Sequence, residues 1–137
     1  MDKEFWGEAV SVYTREQAIA DGVLVDLTEQ GRLYGFKIPL ACSEAVWRHV
    51  AWSDAIEAGK PDATGQSTDG RLHDVLSLAR MGAQQAAHAG ASEFAFDVLM
   101  VPVAGDGVMP ETVSMWLSVG GGDQGEPVLT LMLAGED

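Results

Sequence analysis

Glu93-Phe94-Ala95-Phe96-Asp97-Val98-Leu99-Met100 is the stretch that decides the fold. Phe94, Phe96, Val98 and Met100 occupy one phase of a two-residue period; Glu93, Ala95, Asp97 and Leu99 occupy the other. That is the pattern of a strand with one buried face. It returns twice. Val113, Met115, Leu117 and Val119 alternate with Thr112, Ser114, Trp116 and Ser118, and Leu129, Leu131 and Leu133 alternate with Val128, Thr130 and Met132. Gly105-Asp106-Gly107 and the glycine-rich run from Gly120 to Gly125 supply turns, so 93–134 reads as a three-stranded antiparallel meander.

One apolar sheet face needs a cover, and the residues upstream provide it. From Gly70 to about His88, the positions Leu72, Val75, Leu76, Ala79, Ala83 and Ala86 recur at spacings of three and four, the buried stripe of a helix. Asp69 is the expected N-cap, and Gly90 closes the helix. Leu72, Val75, Leu76 and Ala79 are expected to pack on Phe94, Phe96, Val98, Met115, Leu117, Leu129 and Leu131. Farther upstream, Thr14 and Gln17 form a capping-box pair that opens a short helix, Arg15 to Ala20, stopped by Asp21-Gly22. Val23 to Leu27 is a strand or an extended connector. Ser43 caps a helix from Glu44 to Ala58 with Val46, Trp47, Val50 and Ala51 on one side, and 59–68 is a polar loop. The expected architecture is α+β: one domain over 1–137, with a helical half to about residue 90 packed in two layers on a three-stranded or slightly larger antiparallel sheet.

A chain of 137 residues with 47% apolar side chains suits one hydrophobic core. Eight basic residues face 21 acidic ones, a formal charge of −13, and no lysine or arginine follows Arg80. Such a surface repels nucleic acid and membranes and attracts basic protein grooves. The single cysteine, Cys42, favours a reducing compartment, and Met1-Asp2-Lys3-Glu4-Phe5-Trp6 lacks the basic and apolar regions of a secretion signal. A cytoplasmic protein that binds neither nucleic acid nor membrane is expected. Homodimerisation is left open.

Chemistry-bearing motifs are sparse. Gly120-Gly121-Gly122 lacks the following lysine of a phosphate loop, and Asp123 and Glu126 would repel a phosphate. His49, His73 and His88 have no metal-ligand spacing. Cys42 precedes a helix start, where the macrodipole lowers a thiol pKa, and a nucleophilic pair with His49 or His73 is the enzymatic alternative. No oxyanion hole or orienting partner accompanies it, so no catalytic residue, metal or cofactor is expected. Asp54, Glu57, Glu93, Asp97, Asp106, Glu111, Asp123 and Glu126 remain as candidate partner-binding residues. They are either a solvated surface or a carboxylate track imitating DNA, whose charges recur about every 3.4 Å along a strand. Trp116, set among Thr112, Ser114 and Ser118, is covered by the N-terminal segment or belongs to a binding patch. Trp47 and Trp52, five positions apart, cannot both face the core, which leaves one indole N–H for a partner.

The run from Tyr13 to Thr28 (Tyr-Thr-Arg-Glu-Gln-Ala-Ile-Ala-Asp-Gly-Val-Leu-Val-Asp-Leu-Thr) resembles the opening of an uncharacterised bacterial domain family carried largely by plasmids, phages and other mobile elements. The pieces 35–40, 45–47, 70–80 and 125–137 are similar to its other blocks. The resemblance brings no activity and no catalytic residues. It implies a setting in which a compact acidic protein serves as an inhibitor of a host defence complex, of anti-CRISPR or anti-restriction type, with a basic subunit of a nucleic-acid-binding complex as partner. An accessory factor in replication, partition or conjugation is the alternative.

Overall fold

The computed structural model describes residues 13–136. Five helices are present among them: α1 (Arg15–Ala20), α2 (Thr28–Leu33), α3 (Glu44–Val50), α4 (Asp54–Gly59) and α5 (Thr68–His88). Five strands, β1 (Leu24–Asp26), β2 (Leu40–Ser43), β3 (Glu93–Met100), β4 (Glu111–Gly121) and β5 (Pro127–Leu133), form one sheet in the order β1-β2-β5-β4-β3. The fold is α+β with a mostly antiparallel sheet, and β2 alongside β5 is its parallel pair. The expected meander is present in register, with Phe94 opposite Leu117 and Leu117 opposite Leu131.

The sheet exceeds the expected three strands because the first half contributes two. Val23 to Leu27 yields β1, and β2 occupies the residues that lead into the helix capped by Ser43. Leu40, Ala41, Cys42 and Ser43 are all buried, so no polar phase alternates with an apolar one. The strand wedges between β1 and β5, Cys42 lying beside Val25 on one flank and Leu131 on the other.

The core forms where α5 and α3 meet the inner sheet face: Leu72, Val75, Leu76 and Ala79 join Val46, Val50, Val98, Met115, Leu117, Leu129 and Leu131. Phe94 and Phe96 are half-buried at its margin. Burial of each such leucine or valine contributes roughly 1.5–3 kcal/mol. Helix and sheet approach closely at Gly82, where a Cβ would stand 2.2 Å from the Phe94 ring. α1 packs beside β1, and its Arg15 reaches β5 to donate to Thr130 Oγ1 at 2.8 Å.

Caps set the helix limits and correct two expectations. Ser67, not Asp69, caps α5, its hydroxyl accepting the Gly70 N–H at 3.0 Å. The helix expected over 44–58 is two helices, because the chain is extended at Ala51 and Ser53, and the Ser53 hydroxyl accepts the Ile56 N–H to open α4. This break directs Trp52 away from the main core into a satellite cluster with Ala63 and Val101. Among the described residues no helix is long and apolar enough to cross a membrane.

Candidate functional site

The cations decide the character of the surface, because they are few, eight against 21 acidic residues, and Lys60 and Arg71 are buried. Among the described residues one ion pair forms, Arg48 to Glu44 at 2.6 Å, on an exposed helix face. Three other cations turn to neutral oxygens. Arg15 donates to Thr130 Oγ1 and, at 2.7 Å, to the Leu129 carbonyl. Arg71, 4% exposed, donates to the carbonyls of His49 and Val101 and to Gln66 Oε1, with its guanidinium 5.0 Å from the Trp52 ring centroid. Lys60, 3% exposed, donates to the carbonyls of Ala104 and Gly107. A buried charge is tolerated only when its donors are satisfied, and here main-chain carbonyls do most of that. Burial pulls the Arg71 pKa down, with Asp74 opposing, yet a guanidinium remains charged.

The carboxylates expected to meet a partner separate into two groups. Asp123 accepts the N–H groups of Arg15 and Glu16 at 2.8 and 3.1 Å, capping α1 from the β4–β5 turn. Glu126 accepts the Gln124 N–H, Asp97 accepts the Ser114 hydroxyl at 2.6 Å, and Glu57 accepts the Trp52 indole N–H at 2.9 Å. That last bond occupies the Trp52 indole N–H, while Trp47 sits half-buried at the margin of the main core. Glu93, Asp106, Glu111 and Asp54 are exposed. The eight do not make one track. Asp106 and Glu111 stand at the β3–β4 end, near α4 with Asp54 and Glu57, whereas Asp123 and Glu126 lie at the far end of the 11-residue β4, about 30–40 Å along the strand. Trp116 is half-buried between Ala95 and Met132 on the outer face. The cover expected for it from the N-terminal segment concerns residues outside the described part.

A cavity of about 690 Å³ opens at the β3–β4 end. Its walls are apolar, from Ala51, Ile56, Met100, Val101, Val103 and Val113, with Arg48, His49 and Glu111 as its polar groups. Arg71 fastens the carbonyls of His49 and Val101, and Lys60 fastens that of Ala104, so two buried cations hold the walls of one cavity. Sequence reasoning missed both. Arg71 carried a signal, standing four residues before Val75 on the buried stripe of α5; Lys60 carried none.

The cysteine–histidine alternative fares poorly on chemistry. Cys42 is fully buried in β2, and burial, followed by the charge of Glu136, pushes its thiol up to about 12, opposite to the lowering expected at a helix start. Burial, then Arg71, lowers the His49 pKa, so its imidazole is neutral at pH 7. Tyr34 Oη lies 2.9 Å from His73 Nδ1 on the surface. Among the described residues no group of three His, Cys, Asp or Glu side chains is placed to hold a metal ion.

Fold and surface together define an acidic α+β protein with an open sheet edge and one large apolar cavity. The chain belongs to a family of unknown function (DUF6573), whose match runs over residues 1–137. No match was found among curated proteins or solved structures.

Proposed function

We propose that this is a non-enzymatic binding protein that occupies a basic surface of a nucleic-acid-handling complex and thereby inhibits it, as an anti-CRISPR or anti-restriction protein of a mobile element does. One observation carries the reading: among the described residues Lys60 and Arg71 are buried on main-chain oxygens and Arg15 is drawn partly inward, so few of the scarce cations are left to offset the surface carboxylates, and one ion pair forms. A merely solubilising surface needs no such segregation. Un-neutralised carboxylates speed association with a basic groove and exclude nucleic acid from it. The mobile-element setting is an analogy from family resemblance. Docking on a replication, partition or conjugation protein is the alternative within the same physics.

The test is competition. A basic nuclease or surveillance complex is loaded with labelled DNA, and the protein is titrated in. DNA should be displaced, and the effect should weaken as salt rises, since screening already acts within about 8 Å at physiological ionic strength. Charge reversal at Glu93, Asp106 and Glu111 should slow association without unfolding, because among the described residues these side chains make no bond that reversal would break. Asp123 is unsuitable for this purpose, since its reversal breaks the bonds it accepts from the Arg15 and Glu16 N–H groups at the start of α1. Undisturbed DNA binding across restriction, CRISPR and plasmid-maintenance complexes would refute the proposal.

The cavity supports a second reading, a receptor for a small apolar ligand. Its mainly apolar walls with a few polar groups have the usual composition of such sites. An anilinonaphthalene sulfonate dye should fluoresce with the folded protein and lose that signal in Val113→Trp, which fills the cavity; equal signals would exclude the reading.

A further inference from the structure

Among the described residues the sheet ends in an open strand. Order β1-β2-β5-β4-β3 leaves β3, eight residues long, with β4 as its sole strand neighbour among the described residues. The ladder identifies which backbone groups are free. Val119 N–H donates to the Ser92 carbonyl, and the same register pairs Phe94 with Leu117, Phe96 with Met115 and Val98 with Val113. Hydrogen-bonded pairs alternate with non-bonded pairs in an antiparallel ladder. The N–H and C=O groups of Glu93, Ala95, Asp97 and Leu99 therefore point away from β4, toward the open side.

Both flanks of this edge are chemically distinct. On the inner flank, Leu78 (37% exposed) and Met81 (57% exposed) of α5 line a groove with the half-buried rings of Phe94 and Phe96. On the outer flank stand Glu93 and Asp97, with Leu99 67% exposed beyond them. Natural edges are usually blunted by proline, charged side chains, a bulge or shortness, and of these β3 has only charge. That charge is two carboxylates, Glu93 and Asp97. Those carboxylates select the occupant. A second copy of the chain would set like charges against like across the new pair, on molecules of −13 each. A strand carrying lysine or arginine reverses the sign of that term.

We propose that the free edge of β3 takes up an extended segment of a basic protein as a sixth strand. Alternate residues of the segment are Lys or Arg facing Glu93 and Asp97, and the intervening residues are apolar, packing on Phe94, Phe96, Leu78 and Met81. Main-chain hydrogen bonds supply affinity and the alternating side chains supply selectivity, as in other strand-addition complexes. This rests on the reading of the chain as a ligand of basic surfaces and states how the contact is made.

The probe is a fluorescently labelled octapeptide alternating lysine and valine, with its alternately N-methylated form as control, read by anisotropy at low salt. The plain peptide should bind at least about tenfold tighter than the N-methylated one, which keeps the charge but loses edge hydrogen bonds. Ala95→Pro deletes an outward N–H and no bond to β4, a position where an edge strand accepts proline. It should remove that advantage, with an unchanged urea midpoint, while Ala95→Val retains it. Equal binding of both peptides, undiminished by Ala95→Pro, would overturn strand addition and leave the acidic-surface reading standing. Binding of neither peptide would overturn both. A dimer of the protein that dissociates in Ala95→Pro would overturn the basic occupant in favour of self-pairing.

Discussion

Replacing Arg71 by methionine tests the idea that buried cations hold the cavity together. The guanidinium serves the carbonyls of His49 and Val101, the latter at 2.9 Å, and Gln66 Oε1 at 2.8 Å. Methionine keeps much of the apolar stem and removes every donor. Leaving a buried acceptor unsatisfied costs about 1–3 kcal/mol, so the two carbonyls together lose roughly 2–6 kcal/mol. Losing the contact with the Trp52 ring adds about 0.5–2 kcal/mol. Relief of guanidinium desolvation opposes both and brings the expected net loss to about 2–4 kcal/mol. With a urea slope of about 2 kcal/mol/M, the unfolding midpoint should fall by roughly 1–2 M. Hydrogen exchange should show the damage concentrated in the 101–110 segment, because Val101 begins it and Lys60 alone then holds Ala104 and Gly107. A midpoint shift below about 0.3 M would mean that the carbonyls find other partners at no cost, and the tethering argument would fail.

Other consequences are as direct. Leu76→Ala or Leu117→Ala, each at a fully buried position between α5 and the sheet, should lose about 2–5 kcal/mol in urea unfolding; under 1 kcal/mol would contradict the packing described. Cys42 should not react with a disulfide reagent at pH 8 until the protein unfolds, since its thiol is buried and its pKa is about 12. Rapid labelling of the folded protein would show β2 to be open. His49 has its pKa lowered in the folded state, so the unfolded chain binds its proton more readily. Its contribution to stability is therefore full above the ordinary imidazole pKa of about 6.5 and is lost as pH falls through the lowered folded value. His49→Gln should flatten the stability profile below about pH 6.5, and an unchanged slope would remove His49 from the balance.

The sheet phases were legible from sequence because a half-exposed strand must alternate. Phe94, Phe96, Val98, Met115, Leu117, Leu129 and Leu131 lie on the face that the two-residue period assigns them, and α5 meets them with its spacing of three and four. The twelve residues between Val50 and Ala63 were less legible, since one serine hydroxyl at Ser53 divides what looks like a continuous helix. β2 was invisible because burial on both faces erases alternation, and its partner β5 lies far along the chain.

Charge excess is a property of composition, so the acidic character of the surface was present in the sequence alone. Its geometry was not. Tertiary structure decided that Arg15, Lys60 and Arg71 face main-chain oxygens, that Asp123 accepts N–H groups from a helix start at the other end of the chain, and that Glu111 stands at one end of β4 and Asp123 beyond the other. It also decided which strand is left at the sheet edge. Periodicity reports the local alternation between water and core, which each residue experiences with its neighbours in sequence. A hydrogen bond from Arg15 to Leu129, or the order of strands in a sheet, joins residues that meet only after the chain has folded, and no local pattern encodes it.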